Sequence, residues 1–261
     1  MDYPECLIPA EPLIFDSHAH YDDEKFDEIR DELLRTMTAH GVCGIITCGC
    51  DGKSSRAALG LAEQYDFIYA AVGIHPENLN SKTPLDEIEA LSSHKKCVAI
   101  GEIGLDYYWD KEHQAEQKEV FAKQLELANC LSLPVIVHDR DAHADTLTLL
   151  QEYRPRGVVH CFSGSPETAS ELLKLGLYLG VGGVITFKNA KRLPEVVRMI
   201  PDDRLLLETD CPYLAPEPFR GKICHSGMIT LTAEKIAEIR GTTPAEILRR
   251  SRENVRALFG V

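Results

Sequence analysis

Five short apolar runs in this sequence each lead into residues that can bind a metal ion. The runs and the residues that follow them are Leu13-Ile14-Phe15 before Asp16, His18 and His20; Val98-Ala99-Ile100 before Glu102; Val135-Ile136-Val137 before His138; Val158-Val159 before His160; and Leu205-Leu206-Leu207 before Glu208 and Asp210. A single histidine at a strand end is usually a hydrogen-bonded core residue. Burying so many ionisable groups without a shared cation is costly, because a desolvated charge must be paired or coordinated. The pattern therefore indicates metal-assisted hydrolysis.

These residues are far apart in sequence, so the fold must bring them together. Apolar runs predict strands at residues 13–15, 42–48, 67–74, 98–100, 135–137, 157–162, 177–181 and 205–209. Residues with helical spacing lie between them and predict helices at 23–40, 54–65, 84–92, 111–131, 142–153, 165–176 and 189–200, with two more at 232–240 and 244–258. Eight alternating units favour an α/β fold of the closed (β/α)8 TIM barrel type. In such a barrel the C-terminal ends of all strands meet at one face, where active sites lie.

Composition is consistent with one large domain spanning residues 1–261. The chain has 261 residues, of which 44% are hydrophobic, and barrels of about 250 residues commonly form a single domain. We found no apolar run long enough for a membrane span and no signal-peptide pattern at the first residues, so we expect a cytoplasmic protein without a membrane partner. The nine cysteines do not form a disulfide framework, and those within predicted strands or helices, including Cys130, are expected to be small buried side chains.

The net charge of -13 argues against an extended basic surface for nucleic acid, because phosphate binding normally uses many Lys and Arg contacts. A polyanionic substrate must therefore be held locally. Metal ions in the pocket can supply the positive charge while the rest of the surface stays acidic.

The sequence resembles the TatD family of metal-dependent deoxyribonucleases over nearly its whole length. The matching motifs are Phe15-Asp16-Ser17-His18-Ala19-His20, Gly73-Ile74-His75-Pro76, Gly101-Glu102-Ile103-Gly104-Leu105-Asp106-Tyr107, Val137-His138, His160-Cys161-Phe162-Ser163-Gly164 and Glu208-Thr209-Asp210. The resemblance implies that His18, His20, Glu102 and Asp210 hold one divalent ion. It also implies that Glu102, His138 and His160 hold a second, so that Glu102 bridges the two.

The resemblance implies hydrolysis of phosphodiester bonds in DNA by an exonuclease that acts on single strands or DNA ends, without an obligate protein partner. We expect a metal-bound hydroxide to attack the phosphorus, with Asp210 as the general base and Glu102 as the other catalytic residue. Mg²⁺, Mn²⁺ and Zn²⁺ all suit the mixed imidazole and carboxylate ligands. A cyclic amide or ester hydrolase with the same two ions remains the main alternative, since fold does not fix substrate. A metal-stabilised binding module is less consistent with so complete a ligand set.

Other positions are candidates for substrate binding. His75 can donate a hydrogen bond to a phosphate, or be an ordinary rim histidine. Arg220 can pair with a phosphate or form a salt bridge with an acidic neighbour such as Glu217. Tyr107 and the two aromatic residues after it can stack on an unpaired base or simply cover the barrel mouth. Asp16 is expected to play a structural role or to orient a ligand histidine.

One loop departs from the family pattern. After Phe219-Arg220-Gly221-Lys222, where members usually continue with Asn and Pro, this chain has Ile223-Cys224-His225-Ser226-Gly227. The loop follows the eighth predicted strand and should border the pocket. We therefore expect His225 to lie at the rim and to contact a terminal phosphate, with packing against the following helix as the alternative.

Overall fold

A computed structural model of the protein describes residues 13–261. Eight parallel strands form one sheet in the order of the sequence. They are β1 (Ile14–Ala19), β2 (Val42–Cys48), β3 (Ile68–Val72), β4 (Cys97–Asp106), β5 (Val135–Arg140), β6 (Gly157–Val159), β7 (Tyr178–Val181) and β8 (Leu205–Leu207). The helices are α1 (Arg30–Met37), α2 (Gly52–Gln64), α3 (Leu85–Ser92), α4 (Gln114–Leu131), α5 (His143–Tyr153), α6 (Pro166–Lys174), α7 (Leu193–Met199), α8 (Ile229–Arg240) and α9 (Pro244–Phe259). The predicted (β/α)8 barrel is confirmed. The predicted single domain also includes residues 1–12, which lie outside the described residues.

The barrel closes where the residues after β8 meet the end of β1. The amide of Asp210 donates to the carbonyl of His18 at 3.0 Å, and the amide of His20 donates to the carbonyl of Cys211 at 2.8 Å. Asp16 reinforces this seam, because its carboxylate accepts hydrogen bonds from the amide and hydroxyl of Thr209. The first and last strands are therefore joined through the segments that carry His18, His20 and Asp210.

Apolar side chains fill both sides of the sheet. A cluster inside the barrel takes residues from most strands, including Phe15, Ile46 and Ile136, and α9 adds Val255 and Leu258 to it. The carbonyl of Leu258 also accepts a hydrogen bond from the Arg156 guanidinium just before β6, so α9 packs at the N-terminal ends of the strands. A larger cluster lies between the sheet and the surrounding helices. The opposite, C-terminal face of the barrel is left for polar residues.

The strands differ from the predicted bounds mainly around the site. β4 continues through all ten residues to Asp106 and is buried throughout. Gly104 permits this extension, because its φ is +148° and a Cβ there would overlap the carbonyl oxygen of His138 on β5. β6 and β8 end earlier than predicted, which places His160 and Asp210 in the segments just beyond the strands.

Two smaller predictions were wrong. The single helix predicted over residues 23–40 is divided into a 3-10 turn at Glu24–Phe26, α1, and a second 3-10 turn at Thr38–His40. The side chain of Arg30, which begins α1, donates to the carbonyls of Tyr21 and Asp23 and so fixes the break. Cys130 was expected to be buried but is exposed on α4.

The eight cysteines in the described part of the chain are all free thiols. None of the helices in this part is long and apolar enough to cross a membrane.

Candidate metal centre

Glu102, near the middle of β4, is the centre of a cluster of histidines at the C-terminal face of the barrel. Its Oε2 atom lies 3.3 Å from the Nε2 atoms of both His18 and His20. Its Oε1 atom lies 2.8 Å from Nδ1 of His138 and 2.7 Å from Nε2 of His160. The two oxygens of one buried carboxylate thus face two different pairs of imidazoles, and the pairs touch where the His18 and His160 rings stack with centroids 3.9 Å apart.

The group on the Oε2 side is completed by Asp210. Its Oδ1 atom lies 3.5 Å from Nε2 of His18 and 3.4 Å from Nε2 of His20, and the two Nε2 atoms are 3.0 Å apart. Cys48 at the end of β2 fixes both rings from behind. Its carbonyl is 2.9 Å from Nδ1 of His20, and its thiol is 3.4 Å from Nδ1 of His18. Both Nε2 atoms are therefore directed into the cluster.

His75 joins the group on the Oε1 side. It follows β3, is 7% exposed and places Nε2 3.3 Å from Oε1 of Glu102. Its Nδ1 atom accepts a hydrogen bond from the amide of Glu77, which leaves Nε2 directed at the cluster. His75, Glu102 and His138 offer ligand atoms close enough for one ion. The sequence predicted a phosphate contact at His75, but its position also makes it a candidate metal ligand.

Asp106 also contacts the cluster, although it was not among the candidate site residues selected from the sequence. Its Oδ2 atom lies 3.0 Å from Nε2 of His138, so the imidazole is held between Asp106 and Glu102. Oδ1 of Asp106 accepts hydrogen bonds from the amides of Tyr108 and Trp109. The available signal was spacing: Asp106 lies four positions after Glu102, which in a strand places both side chains on the same face.

Charge interactions in the cluster favour ionised carboxylates and a neutral His160. Burial opposes ionisation of Glu102, but nearby imidazoles, first His160, hold its pKa well below the usual range. Burial likewise opposes ionisation of Asp210, and hydrogen bonds with His18 and His20 reverse the effect and lower its pKa. Burial together with the neighbouring His18 lowers the pKa of His160 to about 4. Burial opposes protonation of His18, His20 and His138, but neighbouring acidic groups outweigh it and raise the pKa of all three rings, for His138 to about 9. Because metal binds deprotonated carboxylates and neutral imidazole, a divalent ion would displace protons from these three rings.

Glu208 is close to the cluster but has a different environment. It is 1% exposed, and its Oε1 atom accepts a hydrogen bond from the amide of Cys161. Its Oε2 atom has no hydrogen-bond partner among the described residues. Burial raises the pKa of Glu208 to about 8, so it is mainly protonated at neutral pH. Its Oε1 atom is 3.7 Å from Nδ1 of His160, which is too long for a hydrogen bond.

The donor atoms fit divalent cations. The carbonyl of Cys48 accepts from Nδ1 of His20, so a neutral His20 ring presents a lone pair at Nε2. That lone pair faces Oε2 of Glu102 and Oδ1 of Asp210. His138 repeats the arrangement, with its proton toward Asp106 and a lone pair toward Glu102. Lone pairs facing carboxylate oxygens repel one another unless a cation lies between them, and imidazole with carboxylate is a donor set that several divalent ions accept.

Residues 15–260 match the family model described as TatD related DNase. The chain belongs to this family.

Two relatives and one solved structure are similar over most of the chain. YabD of Bacillus subtilis (strain 168) is named an uncharacterized metal-dependent hydrolase. It is 46% identical over 254 residues, which cover 95% of this chain and 100% of that protein. A Cronobacter sakazakii protein named 3'-5' ssDNA/RNA exonuclease TatD is 36% identical over 261 residues, covering 94% and 97%. The solved structure of YjjV, a TatD homolog from Escherichia coli K12, has a TM-score of 0.90 and 33% identity, covering 95% of this chain and 98% of that one. The protein is therefore a metal-dependent hydrolase of the TatD family.

The other residues expected to bind substrate in this TatD protein lie outside the cluster. The Tyr107 hydroxyl donates to Asp145 of α5 at 2.7 Å, and its ring is only partly exposed. Arg220 is exposed, and its guanidinium stacks 3.6 Å from the ring centroid of Phe187 rather than forming the considered salt bridge with Glu217. Both side chains therefore have a structural contact, and any role in binding substrate stays a prediction.

The expectation that His225 lies at the pocket rim was wrong. His225 is only 4% exposed and comes just before a 3-10 turn, Ser226–Met228, that leads into α8. Burial, together with the nearby His40, lowers the pKa of His225 to about 4. The neighbouring Ser226 is buried too, where it donates to Asp16 and bonds with the hydroxyl of Tyr21. The loop that departs from the family pattern thus packs against β1.

Asp16 does not orient a ligand histidine through its ring, as the sequence analysis had considered. It accepts hydrogen bonds from the side chains of Thr209 and Ser226 and from the amide of Thr209. Burial raises the pKa of Asp16 to about 6 in spite of these bonds. Its contribution to the site is indirect, because it fixes the backbone that carries His18 and Asp210.

Proposed function

We propose that this TatD-family protein hydrolyses phosphodiester bonds in DNA with two divalent ions, acting on single strands or DNA ends. The observation that carries the proposal is the position of the Glu102 carboxylate, whose Oε2 atom faces His18 and His20 and whose Oε1 atom faces His138 and His160. Two ions about 3.5–4 Å apart suit phosphodiester cleavage, because they stabilise both the attacking and the leaving oxygen. The exonuclease name of the relative from Cronobacter sakazakii supports the same substrate class.

The two proposed ions would share Glu102 and otherwise have different ligands. His18, His20, Glu102 and Asp210 would hold one ion, and Glu102, His138 and His160 would hold the other, with His75 beside them. When bound, such ions lower the pKa of a coordinated water toward neutrality and offset the negative charge of the phosphate. Mg²⁺, Mn²⁺ and Zn²⁺ are all compatible with these ligands.

The protein's own groups then have distinct tasks. Asp210 is the proposed general base, since its side chain is 20% exposed and only its Oδ1 atom faces His18 and His20. Glu102 is almost fully buried and holds the two histidine groups at a fixed separation. Asp106 keeps the proton of His138 on Nε2, so that Nδ1 is directed at the centre.

Two further expectations belong to this proposal. We propose that residues 1–261 form one domain, because the described strands form a single sheet. We also propose a cytoplasmic location, because the free thiols of the described residues suit a reducing compartment.

A nuclease assay with metal-loaded protein tests the proposal. We expect end-labelled single-stranded DNA to be shortened from one end, blunt duplex DNA to be cut more slowly, and both activities to disappear in Glu102→Gln. Glu77→Gln, an exposed carboxylate next to His75, is the matched control and should keep full activity. Turnover of a dihydroorotate-like cyclic amide without any cleavage of DNA would favour the alternative amide hydrolase. Absence of turnover with every ester, amide and nucleic acid would favour a metal-stabilised binding module.

A further inference from the structure

Two exposed aromatic side chains lie at the barrel mouth, directly after β4. Tyr108 is 49% exposed and Trp109 is 65% exposed. Their ring centroids are 4.8 Å apart and the ring planes are nearly perpendicular. The guanidinium of Arg140, at the end of β5, lies 4.5 Å from the Tyr108 ring centroid and 5.8 Å from that of Trp109. We call Tyr108, Trp109 and Arg140 the aromatic cluster.

The aromatic cluster is fixed to the metal centre by one carboxylate. Oδ1 of Asp106 accepts hydrogen bonds from the amides of Tyr108 and Trp109 at 2.9 and 2.8 Å. Oδ2 of the same residue holds His138. Arg140 is also close in sequence, two positions after His138 on β5. A ligand on these rings would therefore lie next to the groups around Glu102.

The Arg140 guanidinium contacts two aromatic rings and, among residues 13–261, has no Asp or Glu oxygen within 4.0 Å. Other arginines of this acidic chain differ, since Arg249 pairs with Glu246 and Arg240 pairs with Asp202. An exposed cation above two aromatic rings matches a ligand that combines a flat ring with a negative charge.

We propose that the aromatic cluster binds an unpaired base of single-stranded DNA, with the base stacked on Trp109 and the adjacent phosphate bound by Arg140. The proposal rests on the proposed nuclease function and names the feature of the substrate that this site recognises. A base within a duplex has both faces covered by its neighbours and cannot stack on a side chain in this way. The cluster thus provides a preference for single strands without a broad basic surface, in keeping with the net charge of -13.

Trp109 reports its own contacts, because it is the only tryptophan in the chain. We would titrate the metal-loaded protein with a thymidine oligonucleotide whose phosphorothioate linkages resist hydrolysis, and follow tryptophan fluorescence. Stacking of a base on the indole should quench the emission at saturation. An abasic oligonucleotide of the same length and charge, and a blunt duplex, should leave it nearly unchanged. Equal quenching by the abasic strand would overturn the assignment, because only phosphates would then be involved.

Variants test the same contact by kinetics. Loss of one stacked base lowers affinity about tenfold to a hundredfold, so Trp109→Ala should raise KM for single-stranded DNA by that factor with kcat nearly unchanged. Trp109→Phe, which keeps an aromatic face, should restore most of the affinity. Arg140→Gln should raise KM and weaken its dependence on salt. With an abasic substrate, Trp109→Ala and Trp109→Phe should leave KM nearly unchanged. Arg140→Gln should still raise KM there, because its contact is with the phosphate.

Two matched controls lie away from this face. Arg204 also stacks on a tyrosine, Tyr178, 5.0 Å from the ring centroid, but at the start of β7 and therefore at the opposite end of the barrel. Leu131 is an exposed apolar side chain on α4. Arg204→Gln and Leu131→Ala should keep wild-type KM values.

The outcomes separate this inference from the proposed function. Cleavage of single-stranded DNA with wild-type KM in Trp109→Ala and no quenching would overturn the aromatic cluster as a base site and leave the nuclease function intact. Base-dependent quenching without any cleavage of DNA would support the cluster and overturn the nuclease function. Neither quenching nor cleavage would overturn both.

Discussion

Nε2 of His138 lies 3.0 Å from Oδ2 of Asp106, while Nδ1 of the same ring faces Glu102 at 2.8 Å. Burial opposes ionisation of Asp106, but the hydrogen bond with His138 keeps its pKa below the usual value. The ionised carboxylate therefore accepts a hydrogen bond from the Nε2–H group, which leaves the lone pair on Nδ1. Asp106 thus sets the tautomer of a histidine that we propose as a metal ligand.

Asp106→Asn should reduce metal affinity and kcat/KM by about 10- to 100-fold. The amide oxygen can still accept from the backbone of Tyr108 and Trp109, so the loop should stay folded. The amide NH₂ would face Nε2 and favour the opposite tautomer of His138, with the proton on Nδ1. Isothermal titration with Mn²⁺ and steady-state kinetics measure the two effects. Asp110→Asn is the control, since Asp110 lies four positions after Asp106 and accepts hydrogen bonds from the amides of Glu112 and His113, but does not touch the cluster.

Glu102→Gln should lose both metal content and activity. A neutral amide removes the charge that faces His18 and His20 on one side and His138 on the other, so both proposed ions should bind more weakly. We expect kcat/KM to fall by more than about a hundredfold, the upper effect of an outer-shell partner alone. Elemental analysis of the purified, folded variant measures the metal content. Two equivalents of metal and wild-type turnover in that variant would disprove the bridging role.

Metal removal should abolish activity and lower thermal stability. An ion that binds only the folded state stabilises it by about 2.7 kcal/mol at a concentration one hundred times its Kd. Chelation should therefore lower Tm, and adding Mg²⁺, Mn²⁺ or Zn²⁺ back should restore Tm and turnover together. Calorimetry measures the decrease in Tm on chelation, and this decrease should be much smaller in Glu102→Gln than in wild type.

Thiol modification should have little effect while metal is bound. Among the cysteines of residues 13–261, Cys130 is exposed on α4 and Cys48 is buried against His18, so within this part of the chain an alkylating reagent should react first at Cys130. We expect stoichiometric labelling there, located by peptide mass spectrometry, with activity retained. Cys130→Ser should keep full activity and abolish the rapid labelling of that peptide. Rapid inactivation of the metal-loaded Cys130→Ser protein would indicate a cysteine nucleophile.

His225 should make folding stability depend on pH. Its pKa is about 4 in the folded protein and about 6.5 when unfolded, so between these values the unfolded state binds more protons. Stability due to neutral His225 is therefore present above pH 6.5 and is lost as pH falls toward 4, by about 3 kcal/mol in total. Urea unfolding of metal-free protein at pH 7, 5.5 and 4 measures the free energy of unfolding. Its decrease with falling pH should be smaller in His225→Gln than in wild type.

The same variant tests the corrected position of His225. A buried residue next to β1 should not contact substrate, so His225→Gln should keep wild-type KM and kcat for oligonucleotides from pH 6 to 8. A rise in KM confined to the acidic side of that range would instead favour the rim position predicted from the sequence.

Gly180 should not tolerate a side chain. A Cβ at this position on β7 would overlap Oε2 of Glu208 and lie 3.1 Å from Cα of His160. Gly180→Ala should therefore destabilise the protein by about 1–3 kcal/mol and reduce activity through the displaced His160. Gly60 on α2 is the matched control, because nothing lies within 4 Å of its Cβ position. Gly60→Ala should stabilise the helix by about 0.5–1 kcal/mol, as urea unfolding would show.

The barrel was predictable because its signals are local and repeated. The bounds predicted for the strand at residues 42–48 are those observed for β2, and the end of the predicted long helix at Leu131 is that of α4. Buried parallel strands are nearly continuous apolar runs, and these runs alternate with helical periodicity along the whole chain. Their C-terminal ends then had to meet at one face.

The site was predictable only where a residue type implies chemistry by itself. The histidines and Glu102 could be selected because they end apolar runs, whereas Asp106 could not, since an aspartate before three aromatic residues is equally typical of a turn. The burial of His225 depends on the contacts of Ser226 with Asp16 and Tyr21, which are about two hundred positions away in sequence. Single-sequence patterns do not encode such distant pairings.

The seam between β1 and the residues after β8 has a consequence for synthesis of the chain. The amide of Asp210 bonds to the carbonyl of His18, and the amide of His20 bonds to the carbonyl of Cys211. The group formed by His18, His20 and Asp210 is therefore assembled only when the barrel closes, after more than three quarters of the protein has left the ribosome. A nascent chain that ends before β8 has both histidines but lacks Asp210, so this group of side chains is complete only after the segment that follows the last strand has joined β1.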